Sequence, residues 1–186
     1  MGRPRGFDET EVIATAAALF ADRAYDGVSV DDLVTHLGVH RNSLYKTFGS
    51  KRGLYLAALR WQLKHQVHPL ISEVGAAGDI TEAVRHALAA HDESGVLDLL
   101  LMAAVERAPV DQEVRAEVSA ALRALDEAVS TVLTGTSPGS ADAPAPVLAE
   151  ALTSTLIGLR LRARAMAAGT ESDQAAVTLA RHLNRA

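Results

Sequence analysis

A run of cationic and hydrogen-bonding side chains stands out in the N-terminal part of the sequence. No Asp or Glu occurs between Asp32 and Glu73, whereas six Lys and Arg fall there: Arg41, Lys46, Lys51, Arg52, Arg60 and Lys64. A local basic surface on an otherwise acidic protein attracts phosphate groups. A solvated basic helix face has the same composition. Charge alone therefore leaves both interpretations open, and local structure has to decide between them.

The rest of the composition describes a globular and acidic chain. Its 186 residues carry a formal net charge of -5, which divides into +2 over residues 1–66 and -7 over residues 67–186. The apolar content of 48% can supply a core, and the absence of cysteine excludes disulfides and thiolate metal sites. We find neither a run of about 18 apolar residues nor an apolar signal region. We therefore expect a cytoplasmic protein with no membrane partner.

Helices are the elements that must position the basic run. Apolar residues recur at helical spacing from Ile13 to Ala24, and Gly27 is the predicted left-handed stop of this first helix. Ser29 and Asp32 then form a predicted capping box for a second, short helix. The basic run therefore begins after two predicted helices.

The next two helices carry most of the basic side chains. A third helix, also short, is predicted from about His40 to about Thr47, after a turn at Gly38 that needs a residue tolerant of positive φ. Ser50 is the predicted cap of a long fourth helix that runs to about Val67. Two short helices joined by a turn with glycine, after a longer amphipathic helix, form a helix-turn-helix.

A helix-turn-helix places its second helix in the major groove of DNA. The candidate readers of base edges are the polar side chains of its first turn: Arg41, Asn42 and Ser43, with His40 at the helix start. Tyr45 and Lys46 follow as candidates for contacts with phosphates. The sequence therefore predicts double-stranded DNA as the partner of the basic run.

One segment closely resembles the DNA-binding domain of the TetR family of bacterial transcriptional regulators: FDETEVIATAAALFADRAYDGVSVDDLVTHLGVHRNSLYKTFGSKRGLYLAAL. The resemblance rests on the string G-V-x-R-x-x-L-Y-x-x-F-x-S-K-x-x-L, which begins at Gly38 and ends at Leu54. It implies that Tyr45 and Lys51 bind phosphates of the DNA backbone. His40 departs from the family, which usually has a small capping residue such as Ser at that position.

The resemblance also implies a fold and a domain organisation. It implies an all-α protein with a three-helix helix-turn-helix DNA-binding domain in residues 1–50 and a helical effector-binding and dimerisation domain in residues 51–186. The implied function is a ligand-responsive regulator, and we expect a repressor that a small-molecule effector releases from a pseudo-palindromic operator. A helical binding or scaffold protein that retains a helix-turn-helix core is the alternative.

Two arginines precede the first predicted helix. Arg3 and Arg5, which bracket Pro4, can reach a phosphate or a narrow minor groove as a flexible arm. A solvated terminus without a role in binding fits the same residues, so both interpretations stay open.

A homodimer is predicted from the apolar stripes of the last two helices. A two-fold operator needs two recognition helices, and one chain carries one. The candidate interface residues are leucines at helical spacing: Leu148, Leu152, Leu156, Leu159, Leu179 and Leu183. Pairing these helices with those of a second chain gives a four-helix bundle.

The candidates for an effector pocket are aromatic, histidine and methionine side chains on predicted apolar faces: Trp61, His65, His91 and Met102. Each of these residue types is also common in a core, so core packing is the alternative for each of them. We find no H-E-x-x-H zinc spacing and no nucleophile or nucleotide-binding motif. We therefore expect no metal, no cofactor and no enzymatic activity.

Overall fold

The computed structural model describes residues 7–136, 144–166 and 170–184. Within these ranges the chain forms helices and no strand, which confirms the predicted all-α class. The helices are α1 (Glu9–Arg23), α2 (Val30–Leu37), α3 (Arg41–Phe48), α4 (Lys51–Gln62), α5 (His68–Gly75), α6 (Ile80–Ser94), α7 (Asp98–Met102), α8 (Gln112–Thr136), α9 (Ala145–Met166) and α10 (Thr170–Leu183). Two π-helical segments, Leu63–Val67 and Ala103–Arg107, follow α4 and α7. No helix in the described ranges is long and apolar enough to cross a membrane.

Local caps set both ends of α2 and the start of α4. The predicted capping box of α2 is confirmed, because the Asp32 N–H donates to Ser29 Oγ at 3.0 Å and the Ser29 N–H donates to Asp32 Oδ2 at 2.8 Å. Gly38 ends α2 in the left-handed region with φ 63°. The Ser50 hydroxyl caps α4 by accepting the N–H of Gly53 at 3.0 Å. The Ser29 and Ser50 side chains each satisfy a backbone N–H that the helix itself leaves without a partner.

The prediction that Gly27 is the left-handed stop of α1 is wrong. The residue with positive φ is Ala24, at 60°, and its N–H donates to the carbonyl of Phe20. Gly27 is needed for a different reason, since a Cβ at that position would overlap the carbonyl oxygen of Arg23. The turn after α1 therefore requires glycine for close backbone approach, not for its left-handed conformation.

The division into compact units differs from the predicted boundary at residue 50. One compact unit, here the first unit, comprises the chain up to Val67 together with Gly95–Ser119; the second unit comprises His68–Ser94 and the chain from Ala120. The physical reason lies in α4, whose fully buried Leu54 and Leu59 belong to the same core as α1. Separating the chain at residue 50 would expose that apolar face to water.

The core of the first unit contains an aromatic cluster. The Tyr55 ring of α4 meets the rings of Phe20 and Tyr25 edge-on, with centroids 5.0 Å apart in both pairs. Leu33 of α2 and Leu44 of α3 are also fully buried. These side chains fasten the two short helices to α1 and α4, since an eight-residue helix has little stability of its own.

The second unit is an assembly of helices in which α6 packs on α5 and α10, and α10 packs on α9. Its buried side chains include Val84, Val129, Leu152 and Ala180. Leu152 is only 3% exposed, so this residue of the predicted dimer interface already belongs to the core of a single chain. Three other leucines of the predicted interface, Leu148, Leu156 and Leu159, are half-buried, and Leu179 is exposed.

Substituting Gly53 with Ala tests how closely α3 and α4 approach each other. A Cβ on Gly53 would overlap the carbonyl oxygen of Phe48, the last residue of α3. Gly-to-Ala changes in a helix usually stabilise it by about 1 kcal/mol, but here the backbone must move apart, so we expect Gly53→Ala to lower the free energy of unfolding in urea.

Gly135→Ala is the matched control, because a Cβ there meets nothing within 4 Å and the residue lies in α8. We expect this variant to be as stable as the parent or more stable. A Gly53→Ala protein that is as stable as Gly135→Ala would contradict the close approach of the two helices.

Candidate nucleic-acid interface

Helix α3 turns one face into the first unit and the other outward. Leu44 is fully buried, and it anchors the helix. The outward residues follow one another at helical spacing, and we call them the recognition face: Arg41, Asn42, Tyr45 and Lys46, all of which are exposed. Ser43 is half-buried at the edge of this face. The structure therefore brings together four of the side chains that the sequence predicts to contact DNA.

The start of α3 carries no side-chain cap. His40 occupies the cap position with φ -70° and ψ 141°, and its ring makes no capping hydrogen bond. The first turn of the helix contains no acidic residue. The positive end of the helix dipole is therefore not offset locally, which favours an anion at this end.

Arg41 is held by an acidic side chain of the preceding helix. Its Nη2 donates to Asp31 Oδ1 at 3.0 Å, across the turn that contains Gly38. Both side chains remain solvent-exposed, Arg41 to 52% and Asp31 to 86%. The guanidinium thus has a defined place on the recognition face while most of its surface is open.

Lys51, the first residue of α4, is half-buried and does not extend freely into solvent. Its Nζ lies 4.2 Å from the centroid of the Tyr25 ring, in a cation–π contact. Burial lowers the pKa of the Lys51 ammonium from its usual value, while the charges of Asp26 and Glu106 act in the opposite direction. Lys51 therefore combines a structural contact with a position at the N-terminus of α4.

The loop that carries Tyr25 is tied to the segment after α7. The backbone N–H groups of Tyr25 and Asp26 donate to the two carboxylate oxygens of Glu106, at 2.7 and 3.0 Å. The Arg107 guanidinium also lies over the Tyr25 ring, at 4.3 Å from its centroid. This attachment was not predicted from the sequence, because the partners are 81 and 80 residues apart and share no motif.

Two of the six cations in the basic run are used inside the first unit. Arg52 donates to both carboxylate oxygens of Asp111, at 2.6 and 2.8 Å, and its Nη2 reaches Glu113 at 3.1 Å. Arg60 donates to Glu113 at 2.7 Å and to Glu117 at 2.6 Å. These five residues form an ion-pair ladder between α4 and the first turns of α8.

The ladder has a clear electrostatic signature. The hydrogen bonds from Arg52 hold the pKa of the Asp111 carboxyl well below its usual range, and those to Asp111 and Glu113 raise the pKa of Arg52. Asp111 is buried and also accepts the N–H of Glu113, at 3.1 Å, so it serves α8 as a cap as well. Arg52 and Arg60 therefore neutralise acids of the same chain, and the basic surface is smaller than the sequence indicates.

Of the predicted pocket residues, Trp61 and His65 lie in contact with each other. Trp61 and His65 stack with ring centroids 4.9 Å apart, and the exposed His65 ring also contacts the Trp61 carbonyl at 2.8 Å. Met102 is half-buried at the end of α7. The side chain of His91 lies outside the described residues, as do Arg3 and Arg5 and the side chain of Leu183.

Comparison with known families agrees with this geometry. The family of bacterial regulatory proteins named tetR matches residues 12–58, which run from α1 into α4 and include the whole of α3. The N-terminal segment of this chain therefore matches the TetR family. The segment with the recognition face is thus the one by which this family is recognised.

Two of the curated relatives are each similar to less than half of this chain. An uncharacterized HTH-type transcriptional regulator of Bacillus subtilis, YezE, is 39% identical over 85 residues, which are 46% of this chain and 44% of YezE. The HTH-type transcriptional repressor BdcR of Escherichia coli is 39% identical over 69 residues, or 37% of this chain and 35% of BdcR. The matched segments span less than half the length of either relative.

One solved structure is similar over the whole chain. The TetR family transcriptional regulator CifR, as a cysteine mutant complexed with 26 bp of double-strand operator DNA, superimposes with a TM-score of 0.76 at 27% identity. The match covers 100% of this chain and 99% of CifR. Similarity over both chains extends the likeness beyond the helix-turn-helix to the helices that follow it.

Proposed function

We propose that this protein is a transcriptional regulator that binds double-stranded DNA through α3, and that it acts as a repressor. The observation that carries the proposal is the recognition face, on which an arginine, an amide, a phenol and a lysine are exposed together. Arginine and asparagine suit base edges, and tyrosine and lysine suit phosphates. The operator-bound state of CifR and the repressor name of BdcR support it by similarity. The alternative of a helical scaffold protein gives no reason for such a cluster.

Lys51 has a part in this proposal despite its contact with Tyr25. A cation–π contact leaves the N–H donors of the ammonium available to a phosphate, because the ring occupies only one side of it. The backbone N–H groups of the first turn of α4 lie at the same helix end and attract the same anion. Lys51 therefore acts on the DNA backbone, independently of base sequence.

Selection from a random duplex library, followed by titration at several salt concentrations, tests operator binding. If a dimer neutralises roughly six to ten phosphates, affinity should fall by about three to five powers of ten between 50 and 200 mM salt. Arg41→Ala should relax the base preference at one position, at roughly 1–3 kcal/mol per lost bidentate contact, whereas Lys51→Ala should weaken binding to all duplexes alike.

Lys64→Ala is the matched control for the loss of one charge, since Lys64 is exposed and lies roughly 20 Å further along the helix from Lys51. We expect it to bind like the parent protein. A parent protein that enriches no sequence at low salt would exclude the proposed function.

We propose further that the protein acts as a homodimer through α9 and α10. The outward face of α9 has exposed apolar residues at Val147 and Leu161, 57% and 43% exposed, and Leu179 of α10 is 38% exposed. Between the two α9 positions the exposed residues are Glu150 and four small ones, Ala151, Ser154, Thr155 and Gly158. Small residues let a partner helix approach closely, and burial of the three apolar side chains favours association.

The double variant Leu161→Glu, Leu179→Glu tests the dimer. Two buried charges would oppose association, so we expect a helical monomer by sedimentation at micromolar concentration and a loss of operator binding. Val110→Glu is the control, because Val110 is 72% exposed but lies in the first unit. A double variant that still sediments as a dimer would exclude this interface.

We also propose that a small effector contacts α4 and lowers the affinity for the operator. Three buried polar atoms of this helix have no hydrogen-bond partner among the described residues: Tyr55 Oη, Trp61 Nε1 and Gln62 Oε1. Unsatisfied buried polar groups are uncommon, and a ligand with matching donors and acceptors would satisfy them. Since Lys51 begins the same helix, a ligand against α4 acts on an element of the DNA interface.

A thermal-shift screen followed by calorimetry with and without operator tests the effector. A coupling of about 1–3 kcal/mol would make operator DNA weaken effector binding by roughly 5–150-fold. Gln62→Leu should weaken effector binding but leave operator binding in the absence of effector unchanged. Equal effector affinity in the two states would exclude the switch.

A further inference from the structure

The contact between Asp31 and Arg41 has no evident role in holding the fold together. Asp31 is 86% exposed and Arg41 52% exposed, and such solvent-exposed ion pairs contribute little stability. The fold of the two helices is already set by the buried Leu33 and Leu44 and by the turn at Gly38. An acidic side chain beside a DNA-binding arginine also repels phosphates. A role in DNA binding, rather than in stability, would therefore explain why Asp31 lies beside Arg41.

The geometry of the contact supplies that reason. One guanidinium nitrogen, Nη2, donates to Asp31 Oδ1 at 3.0 Å, and the remaining N–H donors point elsewhere because the guanidinium is a rigid planar fork. Asp31 lies in the first turn of α2, where the positive helix end stabilises its charge. The carboxylate can therefore hold the guanidinium in one orientation on the recognition face.

We propose that Asp31 is a specificity-determining residue that positions Arg41, an inference that rests on the proposed DNA-binding function. Paired with Asp31, Arg41 adds no net charge to the interface, so it gains little from a phosphate of arbitrary sequence. A guanine offers two acceptors, O6 and N7, to the free edge of the fork. Asp31 thus weakens nonspecific binding and preserves binding to the matching base.

Asp31→Asn separates this role from a structural one. Removing the charge should raise the affinity for nonspecific duplex, steepen the dependence of log affinity on log salt by about one unit per subunit, and lower the discrimination at the base pair read by Arg41. A full bidentate contact is worth roughly 5–150-fold in discrimination, and we expect a loss of about threefold or more. Asp31→Glu, which keeps the carboxylate, should restore part of the discrimination.

Asp22→Asn is the matched control, because Asp22 is 76% exposed, pairs with the neighbouring Arg23 and lies on α1, outside the two helices of the helix-turn-helix. It should leave discrimination unchanged. In an Arg41→Ala background, Asp31→Asn should raise the affinity for all duplexes and leave base preference unaltered, since the residue that Asp31 positions is missing.

The outcomes distinguish this inference from the proposed function. A parent protein that selects an operator, combined with an Asp31→Asn variant that keeps the same discrimination at every position, would overturn the role of Asp31 and leave the regulator intact. A parent protein that selects no sequence would overturn both. Circular dichroism of each variant shows whether a loss of affinity follows from unfolding. If Asp31→Asn unfolds, the base discrimination of Asp31→Glu decides whether Asp31 positions Arg41.

Discussion

The position of the recognition face depends on how Tyr25 is held. Its ring packs edge-on against Tyr55 of α4 and carries Lys51 above it, and its backbone N–H donates to Glu106. These contacts attach the turn after α1 to α4 and to the segment after α7 at one point. Because α2 begins only five residues after Tyr25, this attachment sets the orientation of α2 and α3. The ladder from Arg52 to Asp111 secures α4 from another direction.

Charge in this protein is used in two different ways. Arg52 and Arg60 neutralise buried or half-exposed acids of α8 and hold helices together, whereas Arg41 and Lys46 stay at the surface of α3. Both kinds come from the same acid-free stretch of sequence. A count of Lys and Arg therefore overstates the electrostatic attraction for DNA, and the arrangement of acids from distant segments decides how much of it remains.

Local signals allowed the start of the chain to be predicted well. The capping box at Ser29, the left-handed Gly38 and the cap at Ser50 each act through backbone groups a few residues away, and all three are confirmed. The pairing of Arg52 with Asp111 spans 59 residues, and no local pattern reports it. The turn after α1 shows the same limit: its residue with positive φ is Ala24 and not Gly27, because tertiary contacts of Tyr25 set the shape of that turn.

The two π-helical segments interrupt the regular spacing of side chains along their helices. This interruption explains why some side chains are exposed where the sequence predicts burial. The run from Val96 to Arg107 is apolar nearly all round, which predicts a buried helix, yet Val105 is 70% exposed. It lies in the π-helical segment Ala103–Arg107, where the wider turn changes the angle between successive side chains. The π-helical segment Leu63–Val67, after α4, changes the angle between successive side chains in the same way. His65, in this segment, is exposed, although its ring still stacks on Trp61.

The segment Leu63–Val67 also bears on how such chains diverge. A π turn contains one residue more than the α turn it replaces, so this segment accommodates one extra residue within the helix. In an uninterrupted α-helix the same extra residue would rotate everything beyond it by about 100° relative to everything before it. Homologues with an uninterrupted helix would then align with this chain only if a gap is opened within residues 63–67. An ungapped alignment would match buried residues such as Val67 with positions on another helix face, and the ancestry of the C-terminal helices would look more remote than it is.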